Sequence, residues 1–516
     1  MIDFNITKKN ASFSIINFEI TEESLPLVKK LDEWTSAFVD GYQWMPSYRA
    51  GFSDGKTHLC KSTSDGFIVP NGLLKRIVNN LKKYSKVKIN YTSEFEEKKF
   101  NITLEEFKEF VNTLKLPFEP YDYQLQIAYD LITKNKISAS ACTSSGKSYA
   151  MYLVSRFMLE HNLKTVIIVP SVLLTLQLYD DFISYGFENI EESVHKIGGE
   201  TSHIKHFEKP ITITTWQSIQ RSSELFSDVD CLQIDECHGM DGNILKNVVI
   251  PSTINTSFRI GLSGTLKSSD EFLLLLESYF GEPIVYVTIK DLISRGLATD
   301  VLISFLFLNY DEKESRKVLA YKKYESEVKH IIEQEGRNNF LGKFINKVST
   351  KGNTLVLFDR VKHGEVILEK VFNNMFPDEE FNIKNHTGKN SKHGIFFMTG
   401  SMKGTDRDNI RKLLETENNN ILFGTSSILS TGVSIKNLHN LVFISSGKSE
   451  QRIPQSIGRL VRKMTGKFLV HVYDIVDDFR VGKKKNYTYK HFEQRLQIYE
   501  EQGFNTDERE IKISSD

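Results

Sequence analysis

The sequence predicts an α/β protein with two parallel-sheet lobes in tandem, preceded by a small α+β domain. Short, continuously apolar runs recur along the chain, and each ends in Pro, Gly or small polar residues before a helical pattern begins. Such runs are typical of strands that are buried on both faces of a parallel sheet. The runs form two series that join near residues 285–305, which indicates two lobes.

The two series define the expected domain boundaries. The first comprises TVIIVP (165–170), ITITTW (211–216), CLQIDE (231–236) and RIGLSG (259–264). The second comprises NTLVLF (353–358), GIFFMTG (394–400), NILFGTS (420–426), NLVFISS (440–446) and KFLVHVYDIV (467–476). We therefore expect a first lobe over residues 106–290, a second lobe over 305–480 and a C-terminal helical extension over 481–516.

The first hundred residues have a different pattern. ASFSIINFEI (11–20) alternates between apolar and polar residues, which predicts a strand with one buried face. Asp54 and Gly55, in FSDGKTH, suit a tight hairpin. We expect an accessory α+β domain over residues 1–105, which ends close to the charged stretch SEFEEKKF (93–100).

Composition limits the classes of function. The 516 residues are 40% hydrophobic and 26% charged, which is typical of a globular chain rather than a disordered one. Lys+Arg and Asp+Glu each number 66, so net charge gives no bulk attraction to nucleic acid or to a membrane. A polyanion must therefore be bound by a local basic surface.

Cysteine usage and hydropathy indicate a reduced, cytoplasmic protein. Cys60, Cys142, Cys231 and Cys237 form no C-x-x-C pair, which argues against a zinc knuckle and a disulfide framework. The start, MIDFNITKKN, lacks the form of a signal peptide, and no apolar run approaches the ~18 residues of a membrane span. We expect a cytoplasmic location, the host cytoplasm if the source is a phage, and no membrane partner.

The stretch ACTSSGKSYA (141–150) has the end of a phosphate-binding loop but not its beginning. Gly146, Lys147 and Ser148 are present, whereas Ala141 stands where a glycine usually opens the loop. In such loops backbone N–H groups cradle the phosphates, the lysine neutralises their charge and the hydroxyl holds Mg²⁺. The small residues Thr143, Ser144 and Ser145 keep the loop open. The alternative is a serine-rich turn before a helix.

Two adjacent carboxylates end a predicted buried strand in QIDECH. Asp235 can hold Mg²⁺ while Glu236 orients and deprotonates the attacking water. Structural carboxylates at a strand end are the alternative. Their position behind a GKS loop favours the catalytic interpretation.

A basic helix is predicted in QSIGRLVRK. The spacing places Gln455, Arg459 and Arg462 on one helical face, so that two guanidinium groups could reach a γ-phosphate from the opposite lobe. An arginine supplied in this way would make hydrolysis depend on closure of the lobes. The alternative is an exposed basic helix.

The ordered set of motifs resembles superfamily 2 helicases, which have two RecA-like lobes. ACTSSGKS, VPSVLLTLQ, TTWQS, DECH, GLSGT, TLVLF, GTSSILSTGVSIKNL and QSIGRLVRK follow the order of helicase motifs I to VI over about residues 120–475. The N-terminal DGYQWMPSYRAGFSDGKTHL and the final YKHFEQRLQIYEEQGFN resemble the UvsW-type phage recombination DNA helicases.

The resemblance implies a role for each matched residue in hydrolysis of ATP with Mg²⁺. It implies nucleotide contacts, with Gln124 pairing with adenine, at Gln124, Thr143, Ser144, Ser145, Gly146, Lys147, Ser148 and Gly432. It implies catalytic roles for Lys147, Asp235, Glu236, Arg459 and Arg462. Ser148 and Asp235 would hold the metal ion. Coupling of hydrolysis to lobe movement is implied for His238, Ser263, Thr265 and Gln455.

Two positions depart from the family pattern. Tyr121 replaces an arginine that often begins the adenine motif, which affects base selectivity. Ser434 stands where many relatives carry Asp, which affects a contact to the sugar or to motif VI. The core ATPase assignment survives both departures.

The resemblance also implies a track that grips nucleic-acid phosphates without reading base sequence. The implied positions in the first lobe are Pro170, Ser171, Gly198, Gly199, Thr215 and Gln217. Those in the second lobe are Phe358, Arg360, Thr425 and Thr431. Each residue taken singly also fits a turn or a helix cap.

Aromatic and basic residues interleave in YQWMPSYRAGFSDGK of the N-terminal domain. Such a surface could stack on bases or wedge into a junction. Aromatic residues at strand spacing usually pack inward, so we expect most of them in a hairpin core. Because residues 1–105 carry no hydrolysis motif, we expect them to be dispensable for the chemical step and to contribute branch recognition.

These observations predict an ATP-dependent DNA helicase or translocase that unwinds or remodels forks and recombination junctions. Its expected partners are branched or forked duplex DNA and other recombination, repair or replication proteins. The branched substrate follows only from the UvsW resemblance. An RNA helicase and an ATP-gated nucleic-acid-binding module without translocation are the alternatives.

Overall fold

The chain forms two compact units in a computed structural model. One comprises Met1–Ala141 and Gly146–Val287, and the other Cys142–Ser145 and Thr288–Asp516. The structure describes residues 2–84, 87–198, 207–219, 226–239, 247, 249–264, 269–383, 394–399, 402, 404–425, 435–445 and 452–514. Among these residues no helix is long and apolar enough to span a membrane.

The N-terminal part of the first unit is built on a five-stranded mixed sheet. Its strands are β1 (Ile2–Lys8), β2 (Phe13–Asn17), β5 (Lys61–Thr63), β6 (Gly66–Pro70) and β7 (Val87–Ser93), in the order β5-β6-β2-β1-β7. A separate pair joins β3 (Ser36–Phe38) to β4 (Lys56–His58). The helices here are α1 (Leu25–Trp34), α2 (Pro46–Arg49) and α3 (Leu74–Leu81).

The predicted tight hairpin at Asp54 and Gly55 is wrong. β3 and β4 do pair antiparallel, but residues 39–55 connect them and include α2. Gly55 has φ +76°, and an added Cβ would lie 2.6 Å from Cδ2 of Tyr42. Glycine is therefore needed here because the backbone passes close to Tyr42 at the end of a long loop. The Asp-Gly dipeptide alone does not distinguish this loop end from a two-residue turn.

The N-terminal sheet shares its packing with the first parallel sheet. Leu274 belongs to the same apolar cluster as Phe4 and Leu31. Arg259, which is 1% exposed, donates a 2.6 Å hydrogen bond to Oγ of Ser12. The expected accessory domain is thus one compact unit with the first lobe, because both supply partners for buried groups at their boundary.

The first lobe is built on a seven-stranded parallel sheet. The strands are β8 (Lys136–Ala141), β9 (Thr165–Val169), β10 (Val194–Ile197), β11 (Ile211–Thr215), β12 (Cys231–Ile234), β13 (Phe258–Ser263) and β14 (Pro283–Val287), in the order β10-β11-β9-β12-β13-β8-β14. The helices are α4 (Leu104–Thr113), α5 (Asp122–Lys134), α6 (Lys147–Glu160), α7 (Val172–Ser184), α8 (Ile190–Ser193), α9 (Trp216–Ile219), α10 (Ile250–Ser252) and α11 (Asp270–Phe280).

The second unit contains a second seven-stranded parallel sheet. Its strands are β15 (Asp300–Asn309), β16 (Thr354–Phe358), β17 (Ile395–Met398), β18 (Ile421–Thr425), β19 (Asn440–Phe443), β20 (Leu469–Asp478) and β21 (Asn505–Lys512), in the order β17-β18-β16-β19-β20-β15-β21. The helices are α12 (Ile289–Ser294), α13 (Glu312–Leu319), α14 (Tyr324–Glu333), α15 (Glu335–Ser349), α16 (Val361–Met375), α17 (Gly404–Thr416), α18 (Arg452–Leu460) and α19 (Tyr487–Glu501).

The predicted fold class is confirmed: two RecA-like parallel-sheet lobes in tandem follow an N-terminal α+β domain. The apolar runs became strands because both faces of each sheet are covered; all five residues of β9 and of β16 are buried. The carboxyl ends of these parallel strands meet at one edge of each sheet, where ligands bind in open α/β folds.

The C-terminal extension is not only helical. α19 is followed by β21, which pairs in parallel with β15. Arg495 of α19 forms a buried ion pair with Asp474 of β20 at 2.7 Å. The strand was missed because its sequence, NTDEREIK, is polar and mostly exposed, as suits the edge of a sheet.

Candidate nucleotide site and nucleic-acid track

The phosphate loop connects β8 to α6, as its sequence predicts. Gly146, immediately before α6, has φ +73°, in the left-handed region that favours glycine. Ala141 is the last residue of β8 and is fully buried. Its position in a strand explains why alanine can replace the usual opening glycine, and the backbone needed for phosphate approach is kept at Gly146.

Lys147 joins the phosphate loop to the carboxylate pair. Its Nζ donates to the carbonyl oxygen of Ala141 at 3.3 Å and lies 3.6 Å from Oε1 of Glu236. The lysine side chain is only 10% exposed. A nearby anion therefore meets a partly desolvated positive charge, which is the requirement for a phosphate-binding lysine.

Asp235 and Glu236 follow directly after β12. Glu236 has φ +50°, and the N–H of Asp235 donates to the carbonyl of Ile168 at 2.9 Å. Burial, together with the negative charge of Glu236, raises the pKa of Asp235 to about 6. Burial also opposes ionisation of Glu236, but the positive charge of Lys147 and the hydrogen bond from His238 outweigh it and lower its pKa. Glu236 is therefore the more readily ionised member of the pair.

His238 links the carboxylate pair to β13. Its Nδ1 lies 3.2 Å from Oε2 of Glu236 and 2.6 Å from Oγ of Ser263. The N–H of Gly264 approaches the same Glu236 oxygen at 3.5 Å. These contacts join the carboxylate to the end of β13, where Ser263 lies, and the coupling roles of His238 and Ser263 stay a prediction. Thr265 lies outside the described residues.

The oxygen atoms of Asp235 and Ser148 are of the type that Mg²⁺ prefers. Among the described residues no group of three or more His, Cys, Asp or Glu side chains could hold a metal ion. Mg²⁺ is usually held by one or two protein oxygens together with waters and substrate phosphates. Oγ of Ser148 lies 2.8 Å from the hydroxyl of Tyr185, a neighbour that no sequence motif indicated.

Gln124 lies against the phosphate loop. It is 4% exposed, its Oε1 accepts from the N–H of Tyr121 at 2.9 Å, and its Nε2 donates to the carbonyl of Gly146 at 3.3 Å. These two contacts hold the carboxamide beside the start of α6. The pairing of this amide with adenine stays a prediction.

Within the second unit, residues 142–145 contact the segment around α18. Oγ of Ser144 donates to the carbonyl of Gly458 at 2.7 Å and accepts from Nε of Arg462 at 3.0 Å. An added Cβ at Gly458 would lie 2.6 Å from Cβ of Thr143. Glycine at this position therefore permits the close approach.

The predicted shared helical face of Gln455, Arg459 and Arg462 is wrong for Arg462. α18 ends at Leu460, and Arg462 forms an isolated antiparallel bridge with Ala298. This pairing draws the chain out of the helix, so a spacing argument alone placed the residue incorrectly. Gln455 and Arg459 do lie in α18, and both are partly buried.

Most described track residues lie just beyond strand ends. Pro170 and Ser171 follow β9, and Ser171 caps α7 by accepting from the N–H of Leu174 at 3.4 Å. Gly198 follows β10, and an added Cβ there would lie 3.3 Å from Cγ2 of Val172. Gln217 is exposed after β11.

Three other track residues present different groups at the strand ends. Arg360 is exposed immediately before α16, and Thr425 ends β18 half-buried. Thr215 is 1% exposed, and its Oγ1 bonds Ser218 at 3.0 Å, so its side chain serves as a cap. Gly199, Thr431 and Gly432, with the divergent Ser434, lie outside the described residues.

Phe358 does not present its side chain to a track. It is fully buried, and its ring stacks on Phe397 at a centroid distance of 5.2 Å. The ring therefore belongs to the core of the second lobe.

The aromatic residues of the N-terminal domain divide into two groups. Tyr42 is half-buried and stacks on Phe38 at 4.4 Å, although Phe38 is itself 44% exposed. Trp44, Tyr48 and Phe52 are 73%, 37% and 88% exposed, so the expected inward packing is wrong for them. The guanidinium of Arg49 lies 5.0 Å from the Trp44 ring centroid, which makes a mixed aromatic and basic surface.

Comparisons with known proteins agree with this architecture. Residues 117–268 match the family described as type III restriction enzyme, res subunit, and residues 336–464 match the helicase conserved C-terminal domain. The ATP-dependent DNA helicase uvsW of Enterobacteria phage T4 is 29% identical over 513 residues, which cover 96% of this chain and 97% of that protein.

Two solved structures are similar to this chain. A crystal structure of T4 UvsW matches with 27% identity, a TM-score of 0.48 and coverage of 99% of both chains. A fragment of a putative HsdR subunit of a type I restriction enzyme from Vibrio vulnificus YJ016 matches with 19% identity and a TM-score of 0.56, covering 79% of this chain and 72% of that one. The chain belongs to superfamily 2 and is an ATP-driven helicase of the UvsW type.

Proposed function

We propose that this helicase hydrolyses ATP with Mg²⁺ and uses the cycle to translocate on DNA and to unwind or remodel branched DNA, such as forks and recombination junctions. The observation that carries the proposal is the contact series from Lys147 through Glu236 and His238 to Ser263. It connects the phosphate loop to the end of β13, at the sheet edge where nucleic-acid contacts are proposed.

Hydrolysis needs charge neutralisation and an activated water. Backbone N–H groups at the start of α6 and the ammonium group of Lys147 bind the phosphates. Glu236, held ionised by Lys147 and His238, accepts the proton of the attacking water. Asp235 and Ser148 would hold Mg²⁺, which would supply further positive charge against the phosphates.

The arginine residues supply the remaining positive charge. We assign Arg462 and Arg459 to the γ-phosphate, where charge develops in the transition state. The support for Arg462 is its hydrogen bond to Ser144, a residue of the phosphate loop. Gln455 is proposed to connect this segment with the hydrolysis site.

DNA as the substrate is supported by the nearly full-length similarity to a protein named as a DNA helicase. The exposed Arg360 and the N-terminus of α7 would bind phosphates of the DNA backbone. Such contacts do not depend on base sequence. Recombination, repair and replication proteins are proposed as partners on the same resemblance.

Branch recognition is assigned to the aromatic and basic surface around Trp44 and Phe52. Exposed rings can stack on unpaired bases, and Arg49 supplies a neighbouring positive charge. Point variants test this assignment better than a truncation, because removal of residues 1–105 would leave the buried Arg259 without its Ser12 partner.

The experiment is strand displacement from a labelled DNA fork, from plain duplex DNA and from a matched RNA fork. We expect ATP-dependent displacement that is fastest on the DNA fork and absent with Lys147→Ala. Displacement of the RNA fork alone would favour an RNA helicase. ATP-dependent binding without displacement of any substrate would favour a gated binding module.

A further inference from the structure

A buried ion pair fixes one end of a hydrogen-bonded series in the second unit. Arg337 of α15 and Asp477 of β20 are both fully buried, and Nε of Arg337 lies 2.7 Å from Oδ1 of Asp477. Nη2 of Arg337 also donates to the carbonyl of Ile444 at 2.9 Å. The guanidinium is therefore held in one orientation.

Arg337 determines the tautomer of His363. Nη1 of Arg337 lies 3.0 Å from Nε2 of His363, and because a guanidinium only donates, Nε2 must accept. Burial and the positive charge of Arg337 lower the pKa of His363 well below its usual range, so the ring is neutral. A neutral ring that accepts at Nε2 carries its proton at Nδ1.

The proton at Nδ1 determines which hydrogen bonds the hydroxyl of Ser445 accepts and which it can donate. Nδ1 of His363 lies 3.4 Å from Oγ of Ser445, and the N–H of Asp359 donates to the same oxygen at 3.1 Å. Both lone pairs of the hydroxyl oxygen are then used, which leaves its O–H as a donor. Ser445 follows β19 and Asp359 follows β16, two neighbouring strands, so both lie at the carboxyl edge of the sheet.

The hydroxyl lies beside a small cavity at that edge. The cavity has a volume of about 30 Å³ and is lined by Tyr324, Asp359, Arg360, His363, Ser445 and Thr488, among others. A space of this size holds about one water or one phosphate oxygen and is too small for a base. Asp359 would repel an anion, whereas the exposed Arg360 beside it attracts one.

We infer that Ser445 donates a hydrogen bond to a backbone phosphate oxygen of the bound nucleic acid, and that His363 is the positioning residue that orients this hydroxyl. The inference rests on the proposed function, because it adds a contact to the track that contains Arg360. The contact is uncharged, so it adds affinity without releasing a counterion.

The test is the affinity of single-stranded DNA as a function of salt concentration. Ser445→Ala should weaken binding about tenfold at every salt concentration, since a hydrogen bond to a charged group is lost, and should leave the slope against salt unchanged. Arg360→Ala should instead reduce the slope by about one. Thr350→Ala, which removes an exposed hydroxyl at the opposite edge of the same sheet, is the matched control.

The role of His363 is tested in both backgrounds. His363→Leu should weaken binding in the wild-type chain but have no further effect in Ser445→Ala, because both changes remove the same contact. A single methylphosphonate at the contacted phosphate should likewise abolish the effect of Ser445→Ala. ATPase turnover without nucleic acid should be unchanged in Ser445→Ala.

Two results would overturn the inference while leaving the proposed function intact. One is wild-type affinity in Ser445→Ala combined with weakened binding in Arg360→Ala. The other is an additive effect of the two substitutions, which would assign His363 a purely structural role. Failure of the wild-type chain to bind any nucleic acid would instead contradict the proposed function itself.

Discussion

Nζ of Lys147 lies 3.6 Å from Oε1 of Glu236, so the phosphate-loop lysine and the carboxylate pair form one charged site. Two groups with separate sequence signals, the lysine and the carboxylate pair, thus meet beyond the ends of two strands, β8 and β12. The ammonium group of Lys147 is placed to bind a phosphate, and its positive charge keeps Glu236 ionised. Substitution of either residue therefore gives a distinct expected result.

Lys147→Ala should abolish ATP hydrolysis and weaken ATP binding while the chain stays folded. The reason is that the side chain supplies phosphate-neutralising charge from a loop rather than packing in the core. Turnover, nucleotide affinity and thermal unfolding are the measurements. Lys108→Ala, which removes an exposed lysine from α4, is the control and should behave as wild type. Near-normal turnover in Lys147→Ala would refute the loop assignment.

Glu236→Gln should bind ATP and Mg²⁺ but hydrolyse ATP slowly. The amide can orient water through its oxygen, but it cannot accept the proton. Asp235→Asn should instead lose the part of ATP affinity that depends on Mg²⁺. Nucleotide titrations with and without Mg²⁺, together with single-turnover rates, separate the two residues. Equal losses of affinity in both variants would contradict the division of roles.

Arg462→Ala should lower kcat far more than it weakens nucleotide binding. Arginine residues that act on the transferring phosphate are worth about 10³-fold or more in rate. Steady-state turnover and ATP affinity measure the two effects separately. Lys463→Ala, the neighbouring cation, is the control and should retain turnover. A parallel loss of affinity and rate would reassign Arg462 to ground-state binding.

The buried Lys136 gives the free energy of unfolding a specific pH dependence. Burial, and then the positive charge of Arg259, lower its pKa from 10.5 to about 7. Below about pH 7 the lysine is charged in both states, and the cost of burying it is fully present. Between about pH 7 and 10.5 the unfolded chain binds a proton that the folded chain does not, so stability rises with pH.

Lys136→Met should therefore remove this rise. Denaturant unfolding at several pH values between 7 and 10 measures the difference between the two chains. Lys108→Met, at an exposed position of α4, should keep the wild-type pH profile. An identical pH dependence in wild type and Lys136→Met would contradict the buried, neutral lysine at the boundary with the N-terminal sheet.

The fold and the nucleotide site could be predicted largely from sequence because their signals are local. Continuous apolar runs identify buried parallel strands, and Gly146 with Lys147 identifies the loop. β21 was missed because an exposed edge strand need not be apolar. Arg462 was misplaced because a bridge to Ala298, distant in sequence, ends the helical course of the chain.

Residues that act through long-range contacts gave no sequence signal. Tyr185 comes to lie beside Ser148, and His363 beside Ser445, only when the fold brings distant segments together. The exposure of Trp44 and Phe52 could not be predicted, because an aromatic residue in a strand-like pattern fits either a core or an exposed surface. Burial of Phe358 likewise follows from its strand facing the core of the second lobe.

The most direct test of an ATP-driven enzyme for branched DNA is stimulation of ATPase turnover, at one fixed salt concentration, by duplex, forked and four-way DNA and by RNA. We predict the largest stimulation with forked and four-way DNA. The double variant Trp44→Ala and Phe52→Ala should lose this preference and keep its stimulation by plain duplex. Equal stimulation by all DNA forms, or stimulation by RNA alone, would contradict the account.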